Sequence, residues 1–178
     1  MNLEKRRKNR RVPLLLAGLA VIAAASAGYA LGGQSGQSEA QALSARQAEV
    51  AAKSRQVMPF DLERTMHRFA KTGTGGMQTV TAKDPADAQQ IKLIREHLTE
   101  EVARFSKGDF GDPASIHGGE MPGLRELEAG HDRIDVRYAE ASTGAQITYT
   151  TSDPTLIKAL HAWFDAQVTD HGQHAQHG

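Results

Sequence analysis

The sequence predicts an α+β fold: a four-stranded antiparallel sheet in ββαββα order with two helices on one face, preceded by an N-terminal signal or anchor helix and a polar linker. Three observations carry this. Two stretches, Ile91 to Phe105 and Leu156 to Val168, place apolar residues at steps of three and four. Two others, around Phe69 and Ile147, alternate apolar with polar residues on either side of glycine-containing turns. Ahead of all of them, a basic run opens onto an uncharged apolar stretch.

The N-terminus comes first in the chain. Lys5, Arg6, Arg7, Lys8, Arg10 and Arg11 supply six of the 21 positive charges, opposed there only by Glu4. Val12 to Leu31 then runs without a charge, the layout of a secretory signal or an N-terminal anchor. Ala25-Ser26-Ala27 offers a small-residue cleavage site, while about 20 apolar residues also suffice to cross ~30 Å of hydrocarbon. Both a cleaved signal and a retained transmembrane anchor remain open. In either case the positive-inside rule keeps the basic flank cytoplasmic and sends the rest of the chain to the extracytoplasmic, periplasmic side. The membrane is thus one expected partner. Residues 1–33 are assigned to this segment. Residues 34–57, rich in Gln, Ser, Ala and Glu, read as a stalk or loosely helical linker with too little apolar surface for a core.

The folded domain is expected over residues 58–170. Arg64 to Lys71 and Met77 to Lys83 read as strands joined by Thr72-Gly73-Thr74-Gly75-Gly76, whose glycines permit a tight hairpin. Asp84-Pro85 supplies an N-cap and a first-turn proline for a helix carrying Ile91, Ile94, Leu98, Val102 and Phe105, with Gly108 as its stop. From Gly108 to Gly130 a long loop is predicted, with room for a short helix starting at Asp112-Pro113. Ile134, Val136 and Tyr138 alternate before the turn at Thr143-Gly144, and Ala145, Ile147 and Tyr149 alternate after it. Asp153-Pro154 then starts the second amphipathic helix, and residues 171–178 are left as a histidine-containing flexible tail. Because the periodic patterns all begin after residue 55, the domain is expected to fold without the linker.

Composition narrows the function classes. Past residue 27 the chain carries 15 positive and 20 negative charges, which offers no electrostatic footprint for nucleic acid. Cysteine is absent, so disulfides, thiolate metal sites and cysteine nucleophiles are excluded. Any metal must be held by nitrogen, oxygen or thioether sulfur.

Met58-Pro59-Phe60 with Thr65-Met66-His67-Arg68-Phe69 is one of three characteristic phrases. The second is Ile116-His117-Gly118-Gly119-Glu120-Met121-Pro122-Gly123-Leu124. The third is Leu160-His161-Ala162-Trp163-Phe164-Asp165-Ala166-Gln167 with Asp170-His171-Gly172. Across residues 58–175 the chain resembles a family of small exported bacterial proteins often labelled aspartate carbamoyltransferase. The resemblance implies export and a shared fold. The Ser-Thr-Arg-Thr loop and His-Pro-x-Gln segment of carbamoyltransferases are absent, so no catalytic residue is implied and that activity is not expected.

Eight histidines are the most unusual feature that remains. His67 alternates with Phe69 and should share its face of the strand. His97 follows Ile94 by three, and His161 follows Ile157 by four, each at the edge of a helical apolar stripe. With the loop carrying His117 and Met121 closing over them, His67, His97, His117, Met121 and His161 form the candidate metal set. Imidazole suits copper, zinc and nickel and thioether favours Cu(I), so copper is the favoured cofactor, with zinc next. Competing readings pair His97 with Glu101 and His161 with Asp165 as ordinary intrahelical contacts, and treat the methionines as core. No Gly-x-Ser-x-Gly elbow, His-Glu-x-x-His pair or P-loop is present, although His161-Asp165 or His117-Glu120 could form an acid/base pair. Binding of a metal ion or of a protein partner is therefore expected ahead of catalysis.

Overall fold

The structure is a computed structural model that describes the backbone from Ile22 and the side chains from Gly36. The expected signal or anchor falls largely outside these residues; among the described residues no helix is long and apolar enough to cross a membrane. The chain divides into two compact units, residues 1–40 and 41–178. The first is helical from Ile22.

The second unit is α+β, with a five-stranded mixed sheet in the order β3 (Asp135–Ala141), β4 (Gly144–Thr150), β2 (Gly75–Ala82), β1 (Thr65–Thr72), β5 (Ala175–His177). Strands β1 and β2 form the first hairpin, and β3 and β4 the second. The pairing of Thr72 with Gly75 leaves only Gly73 and Thr74 as the connecting loop, tighter than the five-residue turn read from the sequence. Gly75 has φ +143°, and a Cβ there would lie 2.1 Å from the Tyr149 carbonyl oxygen, so this glycine serves both the turn and the approach of β4.

Helices α2 (Ala88–Phe105) and α5 (Pro154–His171) pack against the sheet. Helix α5 starts where expected, capped by Asp153. Helix α2 starts later than expected, because Asp84 instead closes a turn by accepting from the Ala86 N–H, and Asp87 becomes the cap by accepting from Gln90 N–H. The long loop holds α3 (Gly111–His117) and also α4 (Leu124–Gly130), which the sequence reading missed. Leu124 and Leu127 are buried in the core, and two apolar residues three apart make too short a pattern to show a helical period.

Two expected boundaries move. Helix α1 (Ile22–Val57) takes in the predicted linker, and Val50 and Ser54 are fully buried. Arg46, Val50 and Ser54 stand four apart on one face, a stripe made mostly of polar or small residues. The C-terminal segment is likewise no flexible tail: after a 3₁₀ turn at Gly172–His174, Ala175–His177 forms β5, parallel to β1. It pairs the backbone of an edge that would otherwise be open, so the sheet is mixed and five-stranded rather than antiparallel and four-stranded.

Candidate metal centre

Between the sheet, α2, α3 and α5 lies a small, partly open cavity of about 40 Å³. Its wall carries His67 from β1, His97 and Glu101 from α2, Asp112 and His117 from α3, and Trp163 and His171 from α5. A space of this size holds a small ion or a very few water molecules.

Each of these side chains arrives by a simple local rule. His67 shares the inward face of β1 with Phe69, and both are buried. Glu101 follows Leu98 by three and precedes Phe105 by four, so the apolar stripe of α2 carries a carboxyl into the core. His97 sits one turn before it. On α5, Trp163, Gln167 and His171 recur every four residues and all reach the cavity wall.

The tightest gathering of donors is His97, Glu101 and Asp112, whose ligand atoms all lie within 4.8 Å of one another. Glu101 is 6% exposed, and its Oε1 has no hydrogen-bond partner. Burial, reinforced by the hydrogen bond to Asp112, pushes the Glu101 carboxyl up to about 9, so at neutral pH it keeps its proton and shares it with Asp112. Asp112 also accepts an ion pair from Arg104 at 2.6 Å.

A second group of histidines lines the same cavity. The His67 and His171 rings stack at 5.3 Å between centroids and 8° between planes, and His117 meets His171 edge-on at 4.8 Å. Burial lowers His67 to about 4 and His171 well below its ordinary value, which keeps both imidazoles neutral. Nδ1 of each lacks a partner, as does Trp163 Nε1. Four partnerless buried polar atoms around one small space favour a polar occupant.

His117 is anchored from outside the cavity. Its Nδ1 lies 2.8 Å from Asp170 Oδ2, and Arg46 grips the same carboxylate through Nε at 3.1 Å and Nη2 at 2.6 Å. The Arg46 Nη2 also donates to the His117 carbonyl at 2.6 Å. Burial alone would raise the Asp170 carboxyl, but the hydrogen bonds from His117 and Arg46 outweigh it and hold it at about 2. The carboxylate that serves His117 is thus Asp170, not the neighbouring Glu120, which pairs with Arg125.

Of the five residues expected to form the metal set, His67, His97 and His117 line this cavity. His161 does not: its Nε2 bonds the carbonyls of Gly75 at 2.8 Å and Thr72 at 3.1 Å, fastening α5 to the end of the first hairpin. The suggested His161-Asp165 pair is also absent among the described contacts, since Asp165 instead meets Lys71. Met121 is buried in the apolar core and lines a second, open groove along α5, which it shares with His117 and not with His67 or His97. The cavity's own thioether is that of Met58. From the sequence, Glu101 stands out only as a partner for His97, Asp112 only as a helix start, and His171 only as part of a His171, His174 and His177 tract able to bind metal weakly from a flexible tail, whereas the fold puts all three on the cavity wall. No family model, curated protein or solved structure matches the chain, so the site stands on its own geometry.

Proposed function

We propose that this protein is an exported or membrane-anchored metal-binding protein that holds a divalent first-row transition ion through His97, Glu101 and Asp112. The carrying observation is the 4.8 Å cluster of one imidazole and two carboxyls, with Glu101 Oε1 buried and partnerless at a cavity of ionic size. Ligands of a tetrahedral ion with bonds of ~2.0–2.1 Å stand about 3.4 Å apart, so small side-chain rotations would close the set. One imidazole nitrogen and two carboxyl oxygens are donors that Zn²⁺ accepts, which makes it the probe ion. Copper as Cu(I) needs softer ligands, and with Met121 elsewhere only Met58 offers one.

The experiment is a Zn²⁺ titration of the full chain, purified without a histidine tag, followed by the fluorescence of its single tryptophan. Trp163 lies on the cavity wall, so its emission reports directly on the site. One equivalent bound, with the response abolished in a His97→Ala, Asp112→Asn double variant, supports the reading. Binding that persists in that variant, or no change in emission together with no retained metal, overturns it. Export is read from the basic flank and the apolar run; a periplasm-dependent reporter fused after Gly178 should be active, and an inactive one would refute it.

A second reading is a metal-free protein-interaction module. The open groove of about 690 Å³ between Gly118–Pro122 and α5, bordered by Arg46 and Asp170, favours it. It becomes the better account if the titration shows no metal.

A further inference from the structure

Resting on the metal reading, we infer that His67 completes the coordination sphere from the sheet side, through its Nδ1. The residue is 2% exposed, and Nδ1 is buried without a hydrogen-bond partner. The ring does bond the backbone of His174, and with Nδ1 free that bond falls to Nε2. A proton fixed on Nε2 leaves the Nδ1 lone pair as the one the ring can offer. Metal-ligating histidines are held in this way, the second ring nitrogen donating to a carbonyl or carboxylate that sets tautomer and orientation.

Position supports the same assignment. The Phe60 ring lies 5.8 Å from the His67 ring and 5.6 Å from the His97 ring, so the two imidazoles flank one side chain on the wall of one cavity. His171 is the rival. Its ring contacts are with His67 and His117, and none reaches Phe60 or His97 among the described residues. His117 has already committed Nδ1 to Asp170. His67 lies outside the 4.8 Å group of His97, Glu101 and Asp112 but on the wall of the same cavity, and a shift toward that group adds a second imidazole and gives a four-ligand set drawn from β1, α2 and α3. The C-terminal segment, through the His174 backbone, then acts as the support of a ligand.

The absence of cysteine from the chain makes a decisive experiment possible. In the full chain carrying His67→Cys, Co²⁺ should produce a thiolate-to-cobalt charge-transfer band that the wild type lacks. His67→Phe should lower Zn²⁺ affinity by more than about 100-fold, beyond the 10–100-fold typical of supporting residues. Should either variant fold poorly, ¹⁵N-histidine spectra of the wild-type chain give the same answer, with Zn²⁺ shifting His67 Nδ1 far more than Nε2. Metal uptake by the wild type with His67 Nδ1 unmoved, or Co²⁺ binding by the cysteine variant without the band, overturns the role of His67 and leaves the three-residue site intact. No metal uptake by the wild type, by contrast, removes the site and this inference together.

Discussion

His117 Nδ1 and Asp170 Oδ2 meet at 2.8 Å across 53 residues of chain, joining the C-terminal end of α3 to the last turn of α5. Arg46 on α1 closes the arrangement from a third element by chelating the same carboxylate. The His117 side chain is 1% exposed and that of Asp170 13%, whereas that of Arg46 is about one-third exposed. Solvent therefore screens the arginine side of the network more than the histidine side.

Replacing Asp170 by Ala should consequently cost about 2–4 kcal/mol, since it leaves a buried imidazole N–H without its acceptor. Arg46→Ala should cost less, about 1 kcal/mol. Urea unfolding of the two single variants and the double variant gives both values and their coupling. Equal costs, or an additive double variant, would show that the three residues do not act as one unit.

Truncation tests where the domain begins. A chain starting at Gln41 should unfold cooperatively, because the 41–178 unit is compact in itself. A chain starting at Val57 loses the buried Val50 and Ser54 and the Arg46 chelate, and should unfold at lower denaturant. Removing residues 172–178 should also destabilise, since Gly178 N–H bonds the Phe69 carbonyl and Ala175 is buried. Matching midpoints for the chains starting at Gln41 and Val57 would restore the linker reading.

These boundaries mark what sequence periodicity can and cannot convey. The two long helices and both hairpins were legible because Ile94-Leu98-Phe105, Leu156-Leu160-Phe164 and Ala145-Ile147-Tyr149 repeat large apolar residues at a clear period. The packed part of α1 was not, because it uses Arg46, Val50 and Ser54, only one of which is apolar. Strand β5 is three residues long and is defined by its partner strand rather than by its own pattern. At the site, His67 was legible through its alternation with Phe69. His161 misled because a position at the edge of a helical stripe does not say which neighbour it reaches, and this one reaches hairpin carbonyls. Asp112 comes to His97 and Glu101 only through tertiary packing, which no local spacing encodes.

The metal-free protein should be most stable near pH 6.5. Burial holds His67, His97 and His171 below the ordinary 6.5, so below about 6.5, and for His67 down to about 4, the unfolded chain binds protons there that the folded one does not. Stability rises with pH across that window. Glu101 acts oppositely: its carboxyl, raised from 4.5 to about 9, keeps a proton in the folded state that the unfolded state has lost. Between 4.5 and 6.5 this one group opposes three histidines and loses. Above 6.5 it acts without them, and stability falls toward pH 9. Thermal melts from pH 4 to 9 should trace this maximum, and a curve still rising above pH 7.5 would contradict the buried, protonated Glu101.

Glu101→Gln separates the fold's need for this residue from the ion's need. Since Glu101 is protonated in the folded metal-free state, an amide matches its charge, and its NH₂ can donate to Asp112 as the carboxyl proton does. The variant no longer has to take up a proton on folding at alkaline pH. It should therefore equal or exceed the wild type, by about 1–3 kcal/mol at pH 8, with the gain shrinking toward pH 5. A metal ion asks the reverse, because it needs the deprotonated, anionic ligand that Gln cannot become. Zinc affinity should fall by about 100-fold or more, and the proton that the wild type releases from Glu101 on binding should no longer appear in calorimetry repeated in buffers of different ionisation enthalpy. Greater stability joined to lost affinity is the expected signature of a carboxyl placed in the core for an ion. Lower stability with unchanged affinity would instead make Glu101 a structural member of the α2–α3 contact and remove it from the metal set.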